Sequence, residues 1–202
     1  DCEPEPGWLA AFARRFEESP HAILGGRTVN AVQGNLCAEA TELLYDYLCT
    51  SYSPMHILGG YFAANNFAVE RSAFLASGGF DETLRFGEDR DFCHRWASAG
   101  GRFISTREAL VRHHHRMNLA QFLCLHFKYG GGTAGFRSKV KERGAPRVVL
   151  SSPLWYANLV LHGVRTNPGL RGLTLSLLLA ATQAASAAGF FLGAVHNRAL
   201  LR

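Results

Sequence analysis

At 202 residues, 48% of them hydrophobic and 18% charged, the chain is long enough for one domain with an appendage and too apolar for intrinsic disorder. Twenty-one Gly and seven Pro without a period exclude collagen and Pro-rich linkers. Five Cys (2, 37, 49, 93, 124) with no CxxC pair exclude a zinc ribbon or disulfide framework and read as small, buried, reduced thiols. Charge is unevenly divided: residues 1–110 carry 9 Lys+Arg against 15 Asp+Glu, net −6, and residues 111–202 carry 12 against one acid, Glu142, net +11. A basic half of this kind suits a diphosphate, an anionic membrane surface or nucleic acid. The aromatic–basic interleaving of RNA-binding domains does not occur, which argues against nucleic acid.

The chain opens on Asp rather than Met, with no apolar leader, and so reads as trimmed or as a piece of something longer. Asp1–Gly7 reads as a turn or loop. Trp8–Glu18 has the spacing of an amphipathic helix, with Trp8, Leu9, Phe12 and Phe16 on one side and Pro20 closing it. His21–Val32 is a strand candidate around Gly25-Gly26, Ala38–Leu48 a second helix, and Ser51–Pro54 a loop. Ile57–Val69 reads as a strand that runs into a polar stop, Asn65-Asn66. Arg71–Ser77 is a short helix stopped by Gly78-Gly79, where glycine adopts the left-handed conformation at little cost. Phe80–Phe86 reads as a loop, Glu88–Ala99 as a helix closed by Gly100-Gly101, and Arg102–Ser105 and Ala109–Arg112 as two short strands. Leu119–Tyr129 is another helix, ended by a flexible Gly130–Gly132. Lys139–Arg147 is a basic connector, Pro153–Gly163 a short helix, and Asn167–Gly169 a turn.

From Gly172 to Asn197 no Asp, Glu, Lys or Arg occurs. At about 1.5 Å per residue that run is long enough to cross a bilayer core of about 30 Å. Thr174, Ser176, Thr182, Gln183 and Ser186 dilute it, so a spanning helix, an interfacial helix and a buried hairpin all remain open. Eight Lys/Arg lie from Lys128 to Arg171. If the run spans, the positive-inside rule keeps the preceding domain on the cytoplasmic face of the membrane.

The densest acidic cluster is Glu88-Asp89-Arg90-Asp91, at the start of a helix, where free N–H groups and the helix dipole favour ionised carboxylates. Asp91 and Arg95 are four apart and can pair, and Phe92 and Trp96 share an apolar face. Glu88 and Asp89 are thereby left at the mouth of the helix, either as an acidic cap or as proton acceptors for a hydroxyl. In His113-His114-His115 the first and third lie on one side of a continuing strand, as metal or phosphate ligands or as a wet strand end. Asn65-Asn66 offers amides to a hydroxyl-rich ligand or serves as turn chemistry.

Several short segments resemble, in this order, the C-terminal half of family 2 glycosyltransferases, which have the GT-A fold. The match runs over roughly residues 1–136. Asp1 through Leu9 (DCEPEPGWL) is similar to the end of the family's acidic metal motif and the stretch directly after it. Phe62–Val69 resembles the strand before the acceptor region. Gly78-Gly79-Phe80-Asp81-Glu82 followed by Gly87–Phe92 resembles the Gly-Gly-Phe-Asp segment and the Glu-Asp catalytic motif at their usual separation. Ala109–His113 resembles a strand ending in a family histidine, and Phe127–Gly130 a helix end of the same subgroup.

The resemblance implies an α/β fold: a partial GT-A (Rossmann-like) mixed sheet with flanking helices over 1–136, a basic connector with a short helix over 137–171, and an apolar membrane-associated or transmembrane helix over 172–197. It implies inverting transfer of a sugar from a nucleotide-diphospho-sugar donor to a hydroxyl acceptor, lipid-linked or saccharide, as in cell-envelope polysaccharide assembly. Asp89 would be the general base. Glu88, Asp91, Asn65, Asn66 and Gly79 would line the substrate site. Asp1 and His113 would hold Mg²⁺ or Mn²⁺, with His115 a weaker candidate. The family's N-terminal, nucleotide-binding half is not in this chain, and neither is the Gln/Arg-x-x-Arg-Trp signature of processive synthases; only His94-Arg95-Trp96 occurs. Single-sugar transfer is therefore expected. The alternative is a non-catalytic, degenerate transferase module that binds a partner or a membrane.

Overall fold

The computed structural model describes residues 1–51, 61–145 and 151–200. These divide into two compact units: residues 1–31, 61–83 and 88–115 form the first, and 32–51, 84–87, 116–145 and 151–200 the second. The predicted loop at 51–54 and the start of the predicted strand at 57 fall largely outside the described residues, as do positions 146–147 of the basic connector.

The first unit is a mixed α/β layer. Its elements are β1 (Cys2–Pro4), α1 (Trp8–Glu18), β2 (Ala22–Asn30), a 3₁₀ turn (Ala64–Asn66), β3 (Phe67–Ala68), α3 (Arg71–Ala76), α4 (Glu88–Ser98) and β4 (Arg102–His113). The sheet order is β1-β4-β2-β3; β2 and β4 are parallel, and the outer pairs are antiparallel. Successive strand side chains take opposite faces, and the two cores follow that alternation. Ala22 and Leu24 of β2 pack with Ala11 and Phe12 of α1. Ile23, between them in sequence, packs with Phe92, Cys93 and Trp96 of α4. Helices on both faces of a partly parallel sheet make this a partial Rossmann-like fold.

Three expectations are corrected by the sheet. Asp1–Gly7 is not all loop: Cys2–Pro4 pairs with the end of β4, Cys2 opposite His113. The polar Asn65-Asn66 precedes a short strand instead of ending one. The two short strands at 102–112 are one, β4, whose register against β2 shifts between Gly26, opposite Thr106, and Arg27, opposite Leu110. Arg107–Ala109 are accommodated as an irregularity, and the side chain of Asn66 fills the gap. Its Nδ2 donates to the carbonyls of Arg27 at 2.9 Å and Ala109 at 3.0 Å, and its Oδ1 accepts from Trp8 Nε1 at 2.9 Å. Gly26 is required there, because a Cβ would run into Asn66 and the Ala109 carbonyl.

The second unit is helical: α2 (Leu36–Ser51), α5 (Leu119–Glu142), α6 (Pro153–Thr166) and α7 (Gly169–Leu200). Polar caps set its starts. Asn35 Oδ1 accepts from the Ala38 N–H, Asn118 and Gln121 form a reciprocal capping box, and Ser152 Oγ accepts from the Trp155 N–H ahead of Pro153. Gly130–Gly132, expected as a flexible stop, lie inside a continuous α5. The reason is tertiary. A Cβ on Gly130 would strike the Ser186 carbonyl of α7, and one on Gly189 would strike the Phe127 carbonyl of α5. The two backbones meet where side chains are missing, a packing gain that outweighs the roughly 1 kcal/mol helix penalty of each glycine.

The thiols are not uniformly buried: Cys93 is buried and Cys37 half-buried, but Cys2 and Cys124 are exposed. Burial pushes the Cys93 thiol up to about 12, so it stays protonated and inert.

Candidate functional site

The first turn of α4 carries Glu88, Asp89 and Asp91. Helical spacing separates their fates. Asp91 shares the inward face with Phe92 and is 0% exposed, paired to Arg95 Nε at 2.9 Å. Arg95 in turn donates to the carbonyls of Ser77 and Gly79, and its guanidinium lies 5.5 Å from the Phe92 ring centre. Gly78 and Gly79 are both left-handed, at φ 81° and 62°, and their turn presents those carbonyls to Arg95. The Gly-Gly segment is thus tied to α4 through one buried ion pair.

Asp89 lies on the outer side of the same turn and is half-buried. Its Oδ2 accepts from the Tyr61 hydroxyl at 3.1 Å and from the Ala64 backbone N–H at 3.2 Å, and its Oδ1 lies 2.7 Å from the Arg90 N–H. The Arg90 guanidinium lies 5.4 Å from the Tyr61 ring centre. A carboxylate held by two donors on one oxygen has a fixed orientation, the condition for a proton acceptor of defined geometry. Glu88 is half-buried beside it, and Asn65, next to the donor Ala64, is exposed.

The residues expected at a substrate therefore separate. Glu88, Asp89 and Asn65 reach the surface. Asp91 and Asn66 do not, contrary to expectation, because each is buried and bonded within the protein. Gly79 contributes its carbonyl to Arg95.

A second cluster forms where β1 pairs with β4. Asp1 Oδ2 lies 3.5 Å from His113 Nε2, and ligand atoms of Asp1, Cys2 and His113 all fall within 4.8 Å of one another. His114, on the other side, pairs with Glu3 at 2.9 Å, and Arg112 pairs with Glu5. The rings of His113 and His115 meet edge-on at 5.3 Å. Burial holds the His113 pKa below its ordinary value, with positive charge from His115 adding to the effect. Its imidazole is therefore neutral at neutral pH, the form that binds metals.

No protein-family model matches the chain. Over 185 residues it is 30% identical to the pre-mycofactocin glycosyltransferase of Mycobacterium tuberculosis, in strain CDC 1551 / Oshkosh and equally in strain ATCC 25618 / H37Rv. The match takes in 88% of this chain and 38% of each relative, so the chain spans well under half the length of the curated proteins it matches.

Three participants have no clear signal in the sequence. Tyr61 carries no motif and touches Asp89 only through the fold. Arg95 reads from spacing as a partner of Asp91, but its grip on the Gly78-Gly79 turn needs the tertiary structure. Cys2 looks like one more inert thiol, and only strand pairing brings it beside His113. Trp8, expected in the core, also donates to Asn66.

Proposed function

We propose that this chain is the base-bearing, acceptor-side part of a GT-A, family 2 glycosyltransferase that moves one sugar, with inversion, from a nucleotide-diphospho-sugar to a hydroxyl acceptor. Homology to a glycosyltransferase over 88% of the chain supports sugar transfer as the general chemistry. The observation that carries the finer reading is the fixed Asp89 carboxylate, held by Tyr61 and the Ala64 N–H at the start of α4.

The acceptor hydroxyl loses its proton to Asp89 as its oxygen forms the new bond to the anomeric carbon. The bond from that carbon to the diphosphate breaks on the opposite face, and the nucleoside diphosphate departs with the electron pair. Glu88 and Asn65 flank Asp89 and hydrogen-bond the acceptor's other hydroxyls. Asp91 and Arg95 keep α4 and the Gly-Gly turn in register with it, a positioning role. The relative is named for pre-mycofactocin, which makes a hydroxyl of such a molecule the first acceptor to assay.

The Asp1 carboxylate is an oxygen ligand of the kind Mg²⁺ or Mn²⁺ takes, and the neutral His113 imidazole, with the Cys2 thiol in the same cluster, is a softer donor that Mn²⁺ accepts more readily than Mg²⁺. Such a cation, when bound, offsets the charge on the diphosphate. Asp1 and His113 would hold it at the β1–β4 edge. The basic C-terminal half supports a location on the cytoplasmic face of the cell membrane.

The test is Asp89→Asn in the full-length protein. We expect turnover to fall by about 10²–10⁴-fold, with binding of a uridine or guanosine diphospho-sugar in Mn²⁺, followed by calorimetry, retained. Turnover within a few-fold of wild type would remove Asp89 as the base.

A further inference from the structure

Helix α7 turns a stripe of large apolar residues outward. On a helix packed against a water-soluble domain the apolar residues face inward and the polar ones outward. In α7 the buried face carries Gly172, Ser176, Thr182 and Gly189 beside Leu175 and Leu179. Its hydroxyls are all satisfied there. Ser176 Oγ accepts from the Val164 N–H of α6, Ser186 Oγ donates to the His126 carbonyl of α5, and Thr182 Oγ1 donates to the Leu179 carbonyl. The outward face is Leu170, Leu173, Leu177, Phe191, Leu192 and Val195, bridged by exposed Ala184 and Ala188. Helix α6 adds exposed Leu154 and Leu161. Glycines and satisfied hydroxyls beside two leucines inside, with a stripe of large apolar residues outside, is the pattern of a helix whose outer solvent is hydrocarbon.

Charge decides the mode. Gly169–Val195 is long and apolar enough to span, but α7 is clad along its inner face by α2, α5 and α6. Helix α5 brings Lys128, Arg137, Lys139 and Lys141, and the Arg137 guanidinium sits 5.6 Å from the ring centre of Phe190 on α7 itself. Drawing α7 across a bilayer would carry these cations into hydrocarbon. Lying in the plane leaves them at headgroup depth, where anionic lipid attracts them. Residues 111–202, with Glu142 as their one acid, match that partner.

We propose that α7 lies in the plane of an anionic membrane, its Leu170–Val195 stripe in the acyl boundary and its inner face against α5 and α6. The proposal goes beyond the sugar-transfer reading and stands whether or not Asp89 is a base. Flotation of the full-length protein with phosphatidylcholine vesicles containing about 30 mol% phosphatidylglycerol tests it. Binding is expected to these vesicles and not to pure phosphatidylcholine, and Leu173→Glu with Leu177→Glu is expected to weaken it about a hundredfold. Because that pair could disturb folding, a second measurement uses an environment-sensitive fluorophore at Leu177→Cys or Ala188→Cys, with Cys2 and Cys124 replaced by Ser. The stripe labels should shift to the blue on vesicle addition while a label at Glu142→Cys does not. Depth-dependent quenching that places the Leu177→Cys or Ala188→Cys label at the bilayer centre would show a spanning helix and overturn the proposal. So would stripe labels already shielded in vesicle-free protein, whether by a second copy or by another part of the chain. Equal binding to neutral and anionic vesicles would overturn the anionic preference.

Discussion

Asp91 of α4 and His126 of α5 are both buried, and the protein accommodates them by opposite means. Asp91 in α4 is 0% exposed and paired with Arg95, which is anchored in turn on two backbone carbonyls. His126 in α5 is 1% exposed, lies between the rings of Phe122 and Tyr129, and its Nε2 has no hydrogen-bond partner among the described residues. Burial pushes the His126 pKa down to about 4, so it enters the helical unit as a neutral ring. The difference shows what each unit demands. The sheet-bearing unit uses an ion pair to fasten the turn beside a functional helix. At His126 the helical unit buries an imidazole instead, and its other buried polar groups among the described residues, Ser176 and Thr182, are hydroxyls bonded to backbone.

Removing the Asp91–Arg95 pair costs the most stability. Asp91→Ala leaves Arg95 half-buried without its carboxylate and should cost about 4 kcal/mol, read by chemical denaturation. Asp91→Ala with Arg95→Met should recover part of that loss. No recovery would mean that the Arg95 contacts to Ser77 and Gly79, and not the pair, hold the turn.

For His126 the sign follows from linkage. Its folded pKa lies below the unfolded value of about 6.5, so between about 6.5 and 4 the unfolded chain binds the proton more readily. Stability should therefore be full above that window and fall on acidification through it, by at most about 3 kcal/mol, levelling off below about pH 4. His126→Leu should flatten this slope at little cost at pH 7, because it also removes an unpartnered nitrogen. An unchanged slope in the variant would assign the acid sensitivity to other groups.

In the helical unit a single methyl group probes the α5–α7 crossing. Gly189→Ala places a methyl against the Phe127 carbonyl, and α5 and α7 must part to admit it. A loss of about 2 kcal/mol is expected, measured by the same denaturation. Wild-type stability would mean a looser crossing.

Much of the sheet-bearing unit is legible in the amino-acid order, because its elements are local. The Trp8–Glu18 stripe, the strand around Gly25-Gly26 and the helix opening on Glu88 follow hydrophobic period and stop signals within a dozen residues. Pairing of Asp91 with Arg95 follows from a spacing of four. The features that stay hidden are those that depend on a distant partner. Asn66 looks like a ligand residue until Trp8, Arg27 and Ala109 are brought around it. Gly130–Gly132 looks like a break until Ser186 arrives.

The α/β class, the acidic and basic halves, the acidic helix start and the uncharged C-terminal run are legible in the residue order alone, since each is written in composition or in a period of a few residues. Which carboxylate is buried and which faces out, which asparagine is a strut, and which side of α7 is apolar are settled by packing. Those outcomes turn on contacts between segments tens of residues apart, where removing a group from water costs free energy unless a specific partner is waiting.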